Sequence, residues 1–290
     1  MKILLLGSKG QLGRCLSEYL IQTEFDVTLT SRNEIDITDL EDTRNKIIEL
    51  NPDVVINTSA YTAVEAAEEN LMLAQLINHH AVATIADACL KTDCCLIHLS
   101  TDYVFDGASK APYNEEDKTN PLGVYGRTKL AGEKVIQQSG CKYFILRTSW
   151  LFGGFGDNFL TKMVKLGECR NQIDVVSDQF GCPTYSNDLS EAILKLLPEC
   201  NSDAYGVYNY SSGKIYSWFS FAQEIFSVMS EFGLRTPAVV KPVSSSELNA
   251  RVRRPCYSVL DNTKFESQFG SVGSGVSFGI RQSIANFCDA

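Results

Sequence analysis

Two Tyr–Lys pairs in the sequence have a spacing of four residues, which places both side chains on one face of a helix. The first is Tyr125 and Lys129, in YGRTK, and the second is Tyr210 and Lys214, in YSSGK. An ammonium beside a phenol lowers the pKa of the phenol, and this makes Tyr a better-matched proton donor to a carbonyl that receives a hydride. The first pair begins a stretch rich in helix formers, whereas the second crosses a Ser-Ser-Gly turn. We therefore predict that only Tyr125 and Lys129 act together.

A third candidate catalytic residue ends an apolar run. LIHLSTDYVFDG carries two hydroxyls, Ser100 and Thr101, where a buried strand should end. A hydroxyl there can hydrogen-bond a substrate carbonyl and stabilise the developing alkoxide. Taken alone, Thr101 is better explained as an ordinary strand-ending residue. Its place between a glycine-rich loop and the Tyr–Lys pair favours a catalytic role.

The glycine-rich loop GSKGQLG follows the first apolar run and contains Gly7, Gly10 and Gly13. Glycines at this spacing allow a tight turn, a close approach of the backbone to a pyrophosphate and close packing of the next helix on the strand. The free N–H groups and the positive dipole end of that helix attract the anion. The alternative is a plain strand-to-helix turn, but the position before an amphipathic helix favours dinucleotide binding.

The end of the second apolar run indicates which dinucleotide is bound. An acidic residue there favours a ribose 2′-hydroxyl, and a basic residue favours a 2′-phosphate. The run ends in TLTSRNE, so Arg32 predicts NADPH, with NADH possible. Asp36 and Ile37 are expected to border the adenine. The alternative is a solvated Arg whose field is partly cancelled by Glu34.

The elements that must position these residues alternate between strands and helices. Apolar runs typical of parallel strands covered on both faces are KILLLG, FDVTLTS, PDVVINTSA, DCCLIHLS and KYFILRTSW. Helical patterns between them cover residues 11–21, 40–50, 64–91 and 125–138. This alternation predicts an α/β fold with a doubly wound, Rossmann-type parallel sheet in residues 1–150. Residues 151–290 are predicted to form a smaller C-terminal lobe, partly interleaved with that sheet.

The second half of the chain is less regular. IDVVSDQ is predicted to be a strand. Helices are predicted over residues 188–197 and after Ser217, which is expected to be the N-cap of the second helix. One face of the latter helix is predicted to be core, and it carries Trp218, Phe221, Ala222, Ile225 and Met229. GSVGSGVSFG is predicted to be a loop before a short terminal helix.

Bulk properties exclude several classes of function. The chain has 290 residues and a formal net charge of −9, which argues against a nucleic-acid binder. No run is long enough for a membrane span or a secretory signal. The ten Cys are scattered without a C-x-x-C motif, so we expect reduced thiols and a cytoplasmic protein. The three His, at positions 79, 80 and 98, form no ligand cluster, so no metal site is expected.

Taken together, the motifs resemble the extended short-chain dehydrogenase/reductase family, and within it the branch that reduces dTDP-linked 4-keto-6-deoxy sugars. The matching segments are GSKGQLG, INTSAYTAVEAAE, HLSTDYVFDG, YGRTKLAGE, RTSWLFG, DNF, DQFGCPT and RRPCYSVLDNTKF. The resemblance implies reduction of the C4 ketone of dTDP-4-dehydro-L-rhamnose to dTDP-L-rhamnose. It also implies an NADP(H)-binding domain in residues 1–150 and a sugar-nucleotide-binding lobe in residues 151–290.

The resemblance implies a role for each matching position. The catalytic residues would be Thr101, Tyr125 and Lys129. The residues beside the cofactor would be Gly7, Gly10, Gln11, Leu12, Ser59, Ala60 and Tyr61, with Tyr125 and Lys129. The residues facing the substrate would be Val64, Thr101, Asp102, Tyr103, Tyr125, Trp150 and, as a diphosphate contact, Arg254. For Arg254, a surface role is an almost equally good alternative.

Some positions depart from the family pattern. Cys15 stands where some members carry an acidic residue that helps hold a magnesium ion between two subunits, so neither that metal nor that dimer is expected here. A monomer or a homodimer remains open. Tyr61 stands where some relatives have His. Two alternatives also remain: a reductase of another 4-keto nucleotide sugar, and a non-catalytic regulatory subunit of the same fold, such as that of methionine adenosyltransferase.

Overall fold

A computed structural model describes residues 1–247 and 252–288, the last without its side chain. The strands in this part of the chain are β1 Lys2–Leu6, β2 Asp26–Thr30, β3 Val54–Asn57, β4 Cys95–Thr101, β5 Lys142–Thr148, β6 Leu151–Phe152, β7 Gln172–Val176, β8 Phe180–Gly181, β9 Thr184–Tyr185, β10 Gly206–Asn209, β11 Tyr216–Ser217 and β12 Val239–Val243. The α-helices are α1 Gln11–Ile21, α2 Leu40–Leu50, α3 Val64–Glu69, α4 Leu71–Gln75, α5 Ala81–Thr92, α6 Val124–Ser139, α7 Phe159–Cys169, α8 Ser186–Leu196, α9 Trp218–Glu231, α10 Thr263–Phe269 and α11 Val276–Cys288.

A six-stranded sheet in the order β10-β5-β4-β3-β1-β2 forms the centre of the fold. All of its neighbouring strands are parallel. Helices α1, α8 and α10 pack on one face, and α2, α5 and α6 pack on the other. The predicted doubly wound α/β fold is therefore confirmed.

The strand order reverses beside β1, since β2 lies on one side of it and β3 on the other. In open parallel sheets, ligands bind beyond the carboxyl ends of the strands at this kind of switch point. The residues that follow β1 and β3 are therefore expected to border a ligand. They are the glycine-rich loop and the segment that contains Ser59 and Ala60.

Several predicted elements differ from the observed ones. The single helical pattern of residues 64–91 is divided into α3, α4, a π-helical turn at Leu76–His80 and α5. The sixth strand, β10, was not predicted, because GVYN is short and lies in the irregular half of the chain. It brings residues beyond 150 into the main sheet, and the domain boundary at 150 stays a prediction.

Strands β6, β7, β9 and β11 form a second core together with three helices. Helices α7, α9 and α11 contribute Met163, Phe221, Ile225 and Ile280 to it. As predicted, Ser217 caps α9, and its hydroxyl accepts a hydrogen bond from the backbone N–H of Ser220.

The predicted loop GSVGSGVSFG is wrong at its end, because α11 already begins at Val276. Residues 270, 273 and 275 are glycines with positive φ, which keeps only the segment before Val276 out of the helix. Val276 itself is buried in the second core. The buried apolar side chain, and not the local glycine content, therefore decides where the helix starts.

Two further observations concern the described residues as a whole. The nine cysteines that the structure describes are all free thiols, as predicted for them. None of the helices in residues 1–247 and 252–288 is both long and apolar enough to span a bilayer.

Candidate active site

A cavity of about 710 Å³ opens at the carboxyl ends of the central strands. Every predicted site residue except Tyr61 lines it, and all of them lie in the described part of the chain. These residues are Gly7, Gly10, Gln11, Leu12, Arg32, Asp36, Ile37, Ser59, Ala60, Val64, Thr101, Asp102, Tyr103, Tyr125, Lys129, Trp150 and Arg254. The fold thus joins the glycine-rich loop and the predicted catalytic residues at one site.

Tyr61 lies beside this cavity without lining it. Its backbone N–H donates to Asn78 Oδ1 at 2.8 Å, and its ring packs against Ala67, Ala74 and Val124. Its neighbour Thr62 lines the cavity instead. A role for Tyr61 beside the cofactor stays a prediction.

The geometry of the glycine-rich loop fits a pyrophosphate. A Cβ atom on Gly13 would lie 2.1 Å from the carbonyl oxygen of Gly7, so a larger residue would push the helix away from the loop. Helix α1 begins at Gln11 with no side-chain cap and no acidic residue in its first turn. Its first N–H groups and its positive dipole end are therefore available to an anion. Gln11 lines the cavity and donates to Ser186 Oγ at 3.2 Å.

Arg32 follows β2 by two residues and lines one end of the cavity. Its side chain is 77% exposed and its Nε is 3.0 Å from Asp36 Oδ2. Glu34, which we considered as the group that offsets the charge of Arg32, accepts instead from the backbone N–H of Ser31 at 2.8 Å. The Ser31 hydroxyl also lowers the pKa of Glu34. The counter-charge of Arg32 is therefore Asp36, four residues further along the chain.

Helix α6 holds Tyr125 and Lys129 at the cavity through close backbone packing. A Cβ atom on Gly126 would lie 2.2 Å from the carbonyl oxygen of Tyr103, so this position has no room for a side chain. The first N–H of the helix, on Val124, donates to Glu68 Oε1 at 2.7 Å. These contacts fix the first turn of α6 against the segment that follows β4 and against α3.

Lys129 is almost completely buried, at 2% exposure. Its Nζ donates to the carbonyl oxygen of Leu99 at 2.5 Å and lies 3.4 Å from His98 Nε2. Burial lowers the pKa of Lys129 to about 8, although the nearby charge of Glu133 raises it. Lys129 can therefore change its protonation state close to neutral pH.

The environment of Tyr125 corrects one prediction from the sequence. Burial raises the pKa of Tyr125 to about 12, the hydrogen bond with the Thr101 side chain lowers it in part, and the charge of Asp102 raises it further. The predicted direction is thus wrong for the chain by itself, because burial of the phenol outweighs the effects of the neighbouring groups. At neutral pH the Tyr125 hydroxyl keeps its proton and can donate it.

The second Tyr–Lys pair does not form a site, as predicted. Tyr210 is buried, and its hydroxyl donates to the carbonyl oxygen of Val272 at 3.4 Å. Lys214 is mostly exposed and lies 3.9 Å from Glu224. The Ser-Ser-Gly turn sends the two side chains to different surroundings.

Asp102 should give the protein a characteristic dependence of stability on pH. Burial raises the pKa of Asp102 to about 7, and hydrogen bonds that include one from Thr101 lower it only in part. An unfolded Asp loses its proton at about pH 4. The stabilising contribution of the protonated form is thus present at pH 4 and below, and it is lost as pH rises through about 7. We expect Asp102→Asn to remove this loss. The melting temperature of the variant minus that of the parent should therefore increase from pH 5 to pH 8.

Thermal unfolding across this pH range measures the effect, and Asp87→Asn is the matched control. Asp87 is a half-exposed carboxylate whose pKa is lowered, chiefly by Lys91, so it is already ionised at pH 5 in both the folded and the unfolded chain. Asp87→Asn should change the melting temperature by an amount that is the same at every pH in this range. If the melting temperatures of the parent and Asp102→Asn varied with pH in the same way, the raised pKa of Asp102 would be contradicted.

One cavity residue was assigned to the core by sequence reasoning. Trp218 lines the cavity and stacks on Trp150 with a centroid separation of 3.4 Å and an interplanar angle of 5°. Phe221, Ala222, Ile225 and Met229 of the same stripe are buried, as predicted. Trp218 differs because it is the first residue of α9 and reaches the rim, a position that helical periodicity does not reveal.

Other lining residues were missed for similar reasons. They include Lys9, Thr62, Ile77, Thr148, Ser149, Asp157, Asn158 and Leu189. Asp157 and Asn158 lie in DNF, one of the segments that carried the family resemblance, and this was the available signal for them.

Arg254, a predicted diphosphate contact, donates from Nη2 to Glu65 Oε1 at 3.0 Å. Its buried Nε has no hydrogen-bond partner within the described residues.

Comparison with known proteins decides the family. The family described as RmlD substrate binding domain matches residues 1–288. The chain belongs to this family. One similar protein is the dTDP-4-dehydrorhamnose reductase of Aggregatibacter actinomycetemcomitans, which is 35% identical over 93% of both chains. The resemblance seen in the sequence is thus confirmed.

Solved structures of RmlD family members have the same fold. A dTDP-4-dehydrorhamnose reductase from Clostridium acetobutylicum has a TM-score of 0.92 at 36% identity, over 99% of this chain and 100% of that one. The Bacillus anthracis protein of the same name, in complex with NADP, has a TM-score of 0.91 at 34% identity, over 98% and 99%. The likeness extends over nearly the whole length of each chain.

Proposed function

We propose that this chain reduces the C4 ketone of dTDP-4-dehydro-L-rhamnose to dTDP-L-rhamnose with NADPH. The observation that carries the proposal is the shared cavity, in which a pyrophosphate loop and the predicted catalytic side chains Thr101, Tyr125 and Lys129 meet. Relatives at 34–35% identity that cover most of the chain are named for this reaction. The order of motifs, the fold and the family all support the same chemistry.

NADPH bound in this cavity, with its pyrophosphate at the glycine-rich loop, would supply a hydride for the ketone carbon. Tyr125 then donates the proton of its hydroxyl to the oxygen of the former ketone, and this proton is held firmly in the free chain because the pKa of Tyr125 is about 12. Thr101 supplies a second hydroxyl beside that oxygen and stabilises its developing charge. Lys129, with its ammonium one helical turn after Tyr125, stabilises the phenolate that remains.

Arg32 is proposed to select NADPH over NADH. Its exposed guanidinium at the end of β2 can leave Asp36 and bind a 2′-phosphate, which is absent from NADH. We expect Arg32→Met to weaken NADPH binding about tenfold, which corresponds to the loss of one charge-assisted contact, and to leave NADH binding within about twofold. Titration of each cofactor by fluorescence measures both changes.

Arg44→Met is the matched control for Arg32. Arg44 forms a half-exposed pair with Asp87 at 2.9 Å, and neither residue lines the cavity. It should leave the binding of both cofactors unchanged. Equal weakening of NADPH and NADH by Arg32→Met would show that Arg32 does not contact the 2′-phosphate.

The decisive test is turnover with a panel of 4-keto nucleotide sugars and both cofactors. We expect oxidation of NADPH that depends on dTDP-4-dehydro-L-rhamnose, with dTDP-L-rhamnose as product. Faster turnover of another sugar would support the first alternative, a reductase with a different substrate. Cofactor binding without turnover of any sugar would support the second alternative, a regulatory subunit.

The predicted catalytic residues argue against that second alternative. Thr101, Tyr125 and Lys129 all line one cavity, and α6 fixes the latter two at its wall. A protein that only binds a nucleotide has no need for a buried amine beside a phenol. We further propose that the chain acts in a reducing cytoplasm as a monomer or a homodimer, since nine described cysteines are unpaired.

A further inference from the structure

His98 is a buried titratable residue to which the mechanism above gives no role. It lies in the middle of β4, between Asn57 on β3 and Ile145 on β5 in the sheet register, and its side chain is fully buried. Its Nδ1 is 3.2 Å from Asn57 Nδ2, and its Nε2 is 3.4 Å from Lys129 Nζ. The imidazole therefore connects the end of β3 to a predicted catalytic amine.

The hydrogen bonds of Asn57 determine which nitrogen of His98 carries the proton. The backbone N–H of Ser59 donates to Asn57 Oδ1 at 3.0 Å, so this atom is the amide oxygen. Asn57 Nδ2 must then face His98 Nδ1 as a donor, and Nδ1 must accept. The pKa of His98 lies well below its usual range, because of burial and the charge of Lys129, so the ring is neutral. Its single proton is consequently on Nε2, the nitrogen that faces Lys129.

This tautomer opposes the ammonium form of Lys129. An ammonium has three donor hydrogens and no acceptor, so one donor would face the Nε2–H donor of His98. The neutral amine instead has a lone pair for that hydrogen and still donates to the Leu99 carbonyl oxygen at 2.5 Å. Tyr125 and Glu133 are titratable groups that lie one turn before and one turn after Lys129 on α6. The charge of Glu133 favours the ammonium but is shared with Arg147 on β5.

We propose that His98 is a positioning residue for the reductase reaction: fixed as the Nε2–H tautomer by Asn57, it orients the Lys129 amine and lowers the proton affinity of that amine. This inference rests on the proposed function. In its ammonium form, Lys129 can then pass a proton to the Tyr125 phenolate after each turnover: an N–H bond of the ammonium breaks, a Tyr125 O–H bond forms, and the neutral amine that remains takes a proton from water, which leaves as hydroxide. A donor poised near the working pH performs this transfer most efficiently.

The pH dependence of turnover in His98→Gln tests the proposal. The amide oxygen of Gln can accept from the ammonium, so the ammonium persists to higher pH. We expect the alkaline fall of kcat to move up by about one pH unit, with KM for substrate and cofactor within about twofold of the parent. An unmoved alkaline limb, with or without a lower kcat at every pH, would overturn the proposal. His80→Gln, an exposed residue outside the cavity lining, is the matched control and should leave the profile unchanged.

A direct observation of the tautomer keeps the proposal testable if His98→Gln fails to fold or the parent reduces none of the sugars tested. The chain has three His, so ¹⁵N-histidine NMR of the parent, with His79→Gln and His80→Gln for assignment, isolates the signals of His98. We expect a neutral ring protonated on Nε2 that does not titrate down to about pH 5.5. Protonation on Nδ1 would overturn the proposal. Absence of turnover with the Nε2–H tautomer present would count against the reductase function alone.

Discussion

Replacement of Tyr125 by Phe is expected to lower kcat by about 10²- to 10⁴-fold, the range that positioned acid catalysis usually provides. The aromatic ring and its edge-on contact with Tyr103, at a centroid separation of 5.6 Å, are retained. Only the hydroxyl that interacts with Thr101 is lost. Cofactor affinity should therefore stay within a few-fold of the parent. Steady-state kinetics and a separate titration of NADPH measure the two quantities.

Tyr210→Phe is the control that the sequence itself offers. Tyr210 has the same spacing to a Lys, but it is buried away from the cavity lining and bonds Val272. Removal of its hydroxyl should leave kcat unchanged and cost at most about 1 kcal/mol of stability. If Tyr125→Phe retained more than about a tenth of the parental rate, another group would have to supply the proton.

The second large effect is expected from the buried ion pair between Arg147 and Glu133, behind the predicted catalytic residues. Arg147 Nε and Nη2 donate to the two carboxylate oxygens at 3.0 and 2.7 Å, and the side chains are only 4% and 1% exposed. Ser100 also donates to Glu133, at 2.5 Å. Arg147→Met would leave the carboxylate buried without its cation. We expect the free energy of unfolding to fall by about 3–5 kcal/mol, measured by urea denaturation.

Two further variants separate the charge effect from lost packing. Arg147→Met combined with Glu133→Leu removes both charges and should recover most of the lost stability, because an apolar pair can replace a buried ion pair. Arg44→Met, which breaks a pair with both side chains 39% exposed, should cost less than about 1 kcal/mol. A loss of similar size in Arg147→Met and Arg44→Met would show that the buried pair contributes no more than a surface one.

Local sequence patterns were sufficient for the elements that carry the predicted catalytic residues. Gln11–Ile21 and Leu40–Leu50 form helices with the predicted bounds. The apolar runs of the first half form β1 to β5, because continuous apolar segments can be buried on both faces of a parallel sheet. In contrast, β10 consists of only four residues, and its strand state depends on pairing with β5. A local sequence pattern therefore does not predict such a strand.

Side-chain surroundings could not be obtained in the same way. The spacing of Tyr125 and Lys129 correctly placed both at one cavity, but it gave the wrong direction for the pKa of Tyr125. That pKa depends on burial and on Thr101 and Asp102, which precede Tyr125 by more than twenty residues in the sequence. Trp218 was missed for a related reason, since its stacking on Trp150 joins two distant segments.

The sequence by itself determined the family chemistry, the order of strands and helices in the first half, and the residues that meet at the cavity. These features depend on residue type and on spacing over a few turns, and both can be read along the chain. Only the tertiary structure decided which groups are desolvated, which atom accepts a hydrogen bond from Lys129 and which His faces it. Those properties arise from contacts between β3, β4, β5 and α6, and contacts between separate elements exist only once the sheet has formed.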